Sequence, residues 1–246
     1  MPIDAVIFDW GGTLAHYAAV ELEDMWRLAA RHIAPGRTDE VSAQLAAVEE
    51  AYRARTTTDQ RSSTLAELLE EARLTLGFDV EAAVFEEAAT HYLDTWTPHI
   101  VHDIEAAPML EGLRARGIRT GLLSNTHWPR AYHEHFLERD GLAHLIDARL
   151  YSSELPYMKP HASAFEAALA ALGVTDPTHA VFVGDRPFDD VHGAQRLGMR
   201  GVLRPNPAVP AFDVVPAATI ERLSELLTHI DRWQALGATP TPALPR

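Results

Sequence analysis

Short apolar runs that stop abruptly at polar or glycine-rich stretches recur along the chain, at 5–8 (AVIF), 119–124 (RTGLLS), 147–152 (DARLYS), 180–185 (AVFVGD) and 201–203 (GVL). Between most of them, apolar residues return every three or four positions and a glycine closes the segment, as in MLEGLRARG, ASAFEAALAALG and DVHGAQRLGM. That is the helical period followed by a helix-stop residue. Strands alternating with helices predict an α/β fold, a doubly wound parallel sheet with helices on both faces. Ligands of such sheets bind beyond the carboxyl ends of the strands.

One segment interrupts the alternation. From His16 to Pro98 no run reads as a strand, and four helical stretches follow one another at 18–33, 39–56, 63–76 and 80–96, divided by Pro35-Gly36, the polar run TTTDQRSS and Gly77. The pattern predicts a helical subdomain at 16–98 inserted into a sheet domain built from 1–15 and 99–246. The end of the sequence, GATPTPALPR, is proline-rich and reads as a mobile tail.

Composition narrows the functional classes. With 47% hydrophobic and 23% charged residues the chain can bury a core. Its net charge of −14 opposes sequence-independent binding to nucleic acid or to anionic membrane surfaces, which rely on Lys and Arg. Most of the excess, −9, falls in 16–98. The absence of cysteine excludes thiolate chemistry and cysteine metal sites. Asp4 and Asp9 interrupt the first apolar run, so the start does not read as a signal peptide. No stretch approaches the roughly 18–20 apolar residues of a membrane span, and the expectation is a soluble cytoplasmic protein. Of 21 cationic side chains 20 are arginine, and Lys159 is the one lysine. A compact ammonium on a flexible stem reaches into a confined anionic site that a planar guanidinium does not enter.

Four places can carry chemistry. Asp9 ends the first strand and is followed by Trp10-Gly11-Gly12-Thr13, which sets a carboxylate beside glycines that either turn the chain or let backbone approach a ligand. Ser124-Asn125 ends the second run, with a hydroxyl and an amide able to donate to a phosphoryl oxygen. Lys159 precedes Pro160 and a helix. Gly184-Asp185 ends another strand, with Asp189 and Asp190 close behind. Three carboxylates so near one another call for a cation among them and suit Mg²⁺, while a helix N-terminus alone would also favour the latter two.

In order and spacing these residues resemble the haloacid dehalogenase (HAD) superfamily of hydrolases, with Asp9-x-Gly-Gly-Thr13, Ser124, Lys159 and Gly184-Asp185-x4-Asp190 as its four motifs. The resemblance implies a Rossmann-like core with the insert as a helical cap. It also implies a phosphatase of small phosphorylated metabolites. Asp9 would be the nucleophile that forms an aspartyl-phosphate. Mg²⁺ would be held by Asp9, the Gly11 carbonyl, Asp185 and Asp190. Ser124 and Lys159 would neutralise the transferring oxygens, with Gly11, Gly12, Ser124, Asn125 and Lys159 around the phosphate.

Gly11 departs from the family's phosphatase pattern, in which a second aspartate at this position protonates the leaving group. General acid–base catalysis contributes roughly 10²–10⁴-fold, and its loss matters least for acyl, enol or aryl phosphates. His16 and His127 are candidate substitutes, whereas His133 and His135 read as helix surface. Phosphonoacetaldehyde hydrolases have a similar first motif but need a cap lysine, which 16–98 lacks. Haloacid dehalogenases share the Ser-Asn pair but leave Asp185 and Asp190 unexplained. A catalytically weak binding or regulatory protein that keeps the metal and phosphate pocket is the alternative from another class. Trp10 reads equally as packing or as a face toward the cap. Arg53, Arg55 and Arg61 are unranked selectors of substrate.

Overall fold

The computed structural model describes residues 2–77 and 81–237. Six parallel strands form one sheet in the order β3-β2-β1-β4-β5-β6: β1 Ala5–Phe8, β2 Arg119–Ser124, β3 Ala148–Tyr151, β4 Ala180–Gly184, β5 Arg200–Leu203 and β6 Ala218–Thr219. The two-residue edge strand β6 is too short to leave a sequence pattern. β1 lies between β2 and β4. The chain thus winds outward in both directions from β1, and the strand order reverses beside the carboxyl end that carries Asp9.

The period-two side-chain alternation of strands explains the two-sided core. Val6 and Phe8 of β1 and Val181 and Val183 of β4 face one layer. That layer is formed by α5 (Ala106–Ala115), α6 (Arg130–Arg139) and α9 (Glu225–Gly237). Ala5 and Ile7, with Ala180 and Phe182, face the other, formed by α7 (Ala162–Ala171) and α8 (Gly193–Arg196). Every residue of β1 and β4 is buried, as continuous apolar runs in a covered parallel sheet require.

Between β1 and α5 stand four helices, α1 Leu22–Ile33, α2 Thr38–Asp59, α3 Leu65–Leu76 and α4 Ala82–Trp96. The first begins four residues later than the periodicity suggests. The third is fixed by a capping box in which Thr64 and Glu67 bond each other's backbone N–H. These helices bury their own apolar cluster around Trp26, Leu45, Leu68 and Tyr92. Trp128 and Tyr132 from the sheet side pack against it. Backbone bonds join the two parts: Ser62 N to Pro156 O at 3.2 Å, Met158 N to Gln60 O at 2.9 Å and Leu65 N to His127 O at 2.7 Å. The first two hold the loop just before Lys159. No helix among the described residues is long and apolar enough to cross a membrane. Apart from Gly237, which ends α9, the tail read as mobile lies outside the described residues.

Candidate active site

Asp9 follows the last residue of β1, and its N–H donates to Val183 O at 2.9 Å, so the chain leaves the sheet with its carboxylate at the carboxyl edge. Lys159 reaches it from the loop after β3. Its Nζ is 2.6 Å from Asp9 Oδ1 and 2.7 Å from Asp190 Oδ1, over the Phe182 ring. Lys159 is 1% exposed and Asp190 0%, so the one lysine is a core residue between two carboxylates. Burial alone would push the ammonium down, but Asp190 and Asp9 outweigh it and hold Lys159 above its ordinary range.

The lone ammonium does not balance the site. Asp185, at 1% exposure, is the third carboxylate, and ligand oxygens of Asp9, Asp185 and Asp190 lie within 4.8 Å of one another. Burial, with Asp190 and Asp185 repelling, carries Asp9 up to about 7 against the pull of Lys159. Burial and then Asp190 carry Asp185 up to about 6. Asp185 Oδ2 accepts from Asn206 Nδ2 at 2.7 Å, whereas Oδ1 is buried without a hydrogen-bond partner. A buried carboxylate oxygen with no donor, beside two further carboxylates, has the hard-oxygen chemistry of a Mg²⁺ site. Asn206 was outside the sequence reading. Its signal was the one that flagged the others, a polar side chain shortly after an apolar strand, diluted here by flanking prolines.

Two glycines let these groups come together. Gly12 has φ +82°, and a Cβ there would fall 2.1 Å from Asp185 Oδ2. A Cβ on Gly184 would fall 2.2 Å from Asp190 Oδ2. Asp190 belongs to a wide helical turn, Pro187–His192, that precedes α8 and splits what the periodicity reads as one helix. The turn brings its side chain inward, where Oδ2 accepts the Arg186 N–H at 2.9 Å. Asp190 is thus held by specific partners. Gly11 differs from Gly12: it is exposed, and a Cβ there would meet nothing within 4 Å.

Ser124 is buried at the end of β2, on the same sheet edge. Asn125, expected beside the phosphate, engages the lysine loop. Its Oδ1 accepts Lys159 N–H and its Nδ2 donates to Lys159 O, both at 2.8 Å. It clamps the backbone of the lysine loop, beside the Ser124 hydroxyl.

The aromatic and histidine readings also change. His133 is 1% exposed, stacked on Tyr151 at 4.6 Å and bonded to Thr126 Oγ1 at 3.1 Å, so it is core and not helix surface. The helix-surface reading holds for its exposed neighbour His135. Trp10 is buried, donates Nε1–H to His102 Nε2 at 2.9 Å and meets Trp128 and His133 edge-on. His127 lies against Tyr92 and Glu49 of the insert, and burial lowers it to about 4. It is therefore a neutral imidazole near neutral pH, a weak proton donor. His16 is exposed just beyond the glycine loop.

The sheet order, the parallel strands and the polar groups at the strand ends define a doubly wound α/β domain with a site built around a paired aspartate and lysine at its carboxyl edge. The haloacid dehalogenase-like hydrolase profile matches residues 3–198, and the chain belongs to that family. It is similar to a glyceraldehyde 3-phosphate phosphatase of Methanopyrus kandleri, 32% identical over 50% of this chain and 52% of that protein. It is also similar to a phosphoserine phosphatase of Thermus thermophilus, 40% identical over 40% of this chain and 38% of that protein. The matched part is thus about half the length of these relatives or less. Among solved structures, a 2-haloacid dehalogenase from Pseudomonas syringae pv. tomato superposes with a TM-score of 0.71 at 24% identity, covering 94% of this chain and 99% of that one. An HAD phosphatase from Thermococcus onnurineus gives 0.59 at 23% identity, covering 93% and 98%. At these identities the likeness is one of fold.

Proposed function

We propose that the chain is a Mg²⁺-dependent phosphatase that hydrolyses a small phosphorylated metabolite through an aspartyl-phosphate on Asp9, with residues 16–98 acting as its cap. The observation that carries this reading is the buried Asp185 Oδ1 without a donor, beside Asp9 and Asp190. A site that held no cation would leave three buried carboxylates against one ammonium. Asp9, the Gly11 carbonyl and Asp185, with Asp190 as ligand or behind them, would hold Mg²⁺, which would offset the charge of nucleophile and phosphate. The phosphatase relatives support the same class.

Lys159 occupies Asp9 Oδ1, which leaves Oδ2 to attack phosphorus. As that bond forms, the bond from phosphorus to the leaving oxygen breaks and its electron pair departs with the oxygen. Ser124 Oγ and Lys159 Nζ neutralise the non-bridging oxygens, and in phosphoryl transfer such placement and charge neutralisation supply most of the catalysis. Water then attacks the phosphorus of the aspartyl-phosphate, releasing inorganic phosphate and restoring the Asp9 carboxylate. Gly11 offers no proton to the leaving oxygen, and His127 is neutral. Leaving groups that are stable anions are favoured, and His16 is the candidate that remains for proton transfer.

The test is phosphate release from aryl and acyl phosphates with Mg²⁺ and with EDTA. Turnover that needs Mg²⁺ and disappears in Asp9→Asn is expected. Turnover unchanged in Asp9→Asn would refute the nucleophile, and halide release from 2-haloacids without metal would move the chain to dehalogenation. No turnover on any phosphoester would favour a binding or regulatory protein.

A further inference from the structure

Three residues from three segments join in a chain of hydrogen bonds that ends beside the nucleophile. Trp10 follows Asp9 and is 4% exposed, and its Nε1 lies 2.9 Å from His102 Nε2. His102 Nδ1 lies 2.6 Å from Asp140 Oδ2, and its side chain is also 4% exposed. An indole N–H can only donate. His102 Nε2 must therefore carry a lone pair, and the ring proton sits on Nδ1, from which it is donated to Asp140. Burial holds His102 below its ordinary range against the pull of Asp140, which keeps the ring neutral and its lone pair open to Trp10. Arg139, bonded to Asp140 through Nε and a terminal nitrogen at 2.7 Å each, keeps that carboxylate ionised. The bonds thus run one way, from Trp10 to His102 to Asp140, and the carboxylate selects the tautomer that accepts the indole.

Trp10 is the place where the glycine loop can be held. The sheet fixes the chain as far as Asp9, whose N–H donates to Val183 O. Beyond Trp10, Gly11 and Gly12 have no side chain to anchor, and Gly12 stands at φ +82°. The Trp10 carbonyl accepts from the N–H of Thr13 at 3.3 Å and of Ala15 at 2.8 Å, which closes the turn through the backbone. Its ring packs edge-on against Trp128 and His133, and the bond to His102 is its directional tether. His102 is placed by the two segments that join the insert to the sheet domain. His16 N–H donates to Val101 O and Asp103 N–H to Leu14 O, both at 2.9 Å. The tether therefore runs from the root of the insert to the residue between Asp9 and Gly11.

We propose that His102, oriented by Asp140, is a positioning residue for the reaction: by holding the Trp10 indole it fixes the placement of the Asp9 carboxylate and the Gly11 carbonyl. This rests on the phosphatase reading, in which both groups hold Mg²⁺. Partners that orient metal ligands from behind are typically worth roughly 10–100-fold in metal affinity or activity.

The test reads Mg²⁺ affinity from the rise of Tm with Mg²⁺ concentration, beside kcat and KM on phenyl phosphate. His102→Leu removes the acceptor, so the Kd for Mg²⁺ should rise roughly tenfold or more and kcat should fall by a similar factor, with KM changing less. His102→Gln keeps an acceptor for Trp10 and a donor for Asp140 and should recover most of both, which a role in packing alone would not give. Trp10→Phe keeps a ring without the N–H and should resemble His102→Leu, and it carries the same test if the leucine variant does not fold. Once Trp10 is Phe, adding His102→Leu should cost little more, because the tether is already gone. Wild-type Kd and kcat in either single variant, equal losses in Gln and Leu, or losses that multiply in the double variant would overturn the tether while the phosphatase reading stands. A wild type with neither a Mg²⁺ shift nor turnover removes that reading and the role of His102 with it.

Discussion

Replacing Lys159 by Met keeps the length of the stem and removes the ammonium that bonds both Asp9 and Asp190. Lys159 is 1% exposed and bonds two carboxylates that are 6% and 0% exposed, so solvent cannot enter to screen what is left. Removing one partner of a buried pair costs about 3–5 kcal/mol, because the remaining charges stay desolvated and unpaired. At about 2–4 °C per kcal/mol for a chain of this size, Tm should fall by roughly 6–20 °C at pH 8. The deficit has a definite pH dependence. Asp9 already stands at about 7, and loss of the ammonium raises it further. The folded variant then binds a proton that the unfolded chain, with an ordinary carboxylate near 3.9, does not bind until lower pH. Its stability relative to wild type therefore recovers as pH falls from about 9 to about 7, below which wild-type Asp9 takes up the same proton. Thermal unfolding of both proteins across that range, in EDTA, is the assay. A loss under about 1 kcal/mol, or one that stays flat with pH, would refute the view that this lysine balances buried carboxylates. Lys159→Arg keeps the charge but must fit a broader group between Asp9, Asp190 and the Phe182 ring, so its activity should fall far below wild type.

Three further outcomes can be checked separately. Gly11→Asp should fold with an unchanged Tm, since a Cβ meets nothing within 4 Å, and should raise kcat on alkyl phosphates by roughly 10²-fold or more; no gain would mean that leaving-group protonation is not limiting. Mg²⁺ at about 100 times its Kd should stabilise the protein by about 2.7 kcal/mol, seen as a rise in Tm, and Asp185→Asn should abolish that rise; an equal shift in the variant would rule Asp185 out as a ligand. Burial lowers His127 to about 4 and, aided by His127 and Arg130, His133 to about 3, so between about pH 6.5 and 4 the unfolded chain binds protons that the fold refuses. Stability should fall with acidity there by up to about 1.4 kcal/mol per pH unit per histidine, and His133→Phe should show a shallower acid limb in urea titrations.

The sequence by itself determined the strand–helix alternation, the place of the helical insert and four of the polar groups at the sheet edge. These are readable because period and punctuation are local: AVIF must be a buried strand, and Asp9 must follow it. Lys159 was legible for a rarer reason, its solitude among 20 arginines. Tertiary structure alone decided what those groups touch. Asn125 looks like a phosphate donor in one dimension, but its amide is turned to the Lys159 backbone across a sequence separation of 34 residues. His133 has the spacing of a surface residue, yet Trp10, Trp128 and Tyr151 close around it from three other segments. Glu49 gave no local sign, since it takes its meaning from Trp26 and Tyr92 on other helices. Period and propensity record which face of an element is apolar, whereas a hydrogen bond or charge contact between distant elements depends on how the finished sheet and insert bring them together.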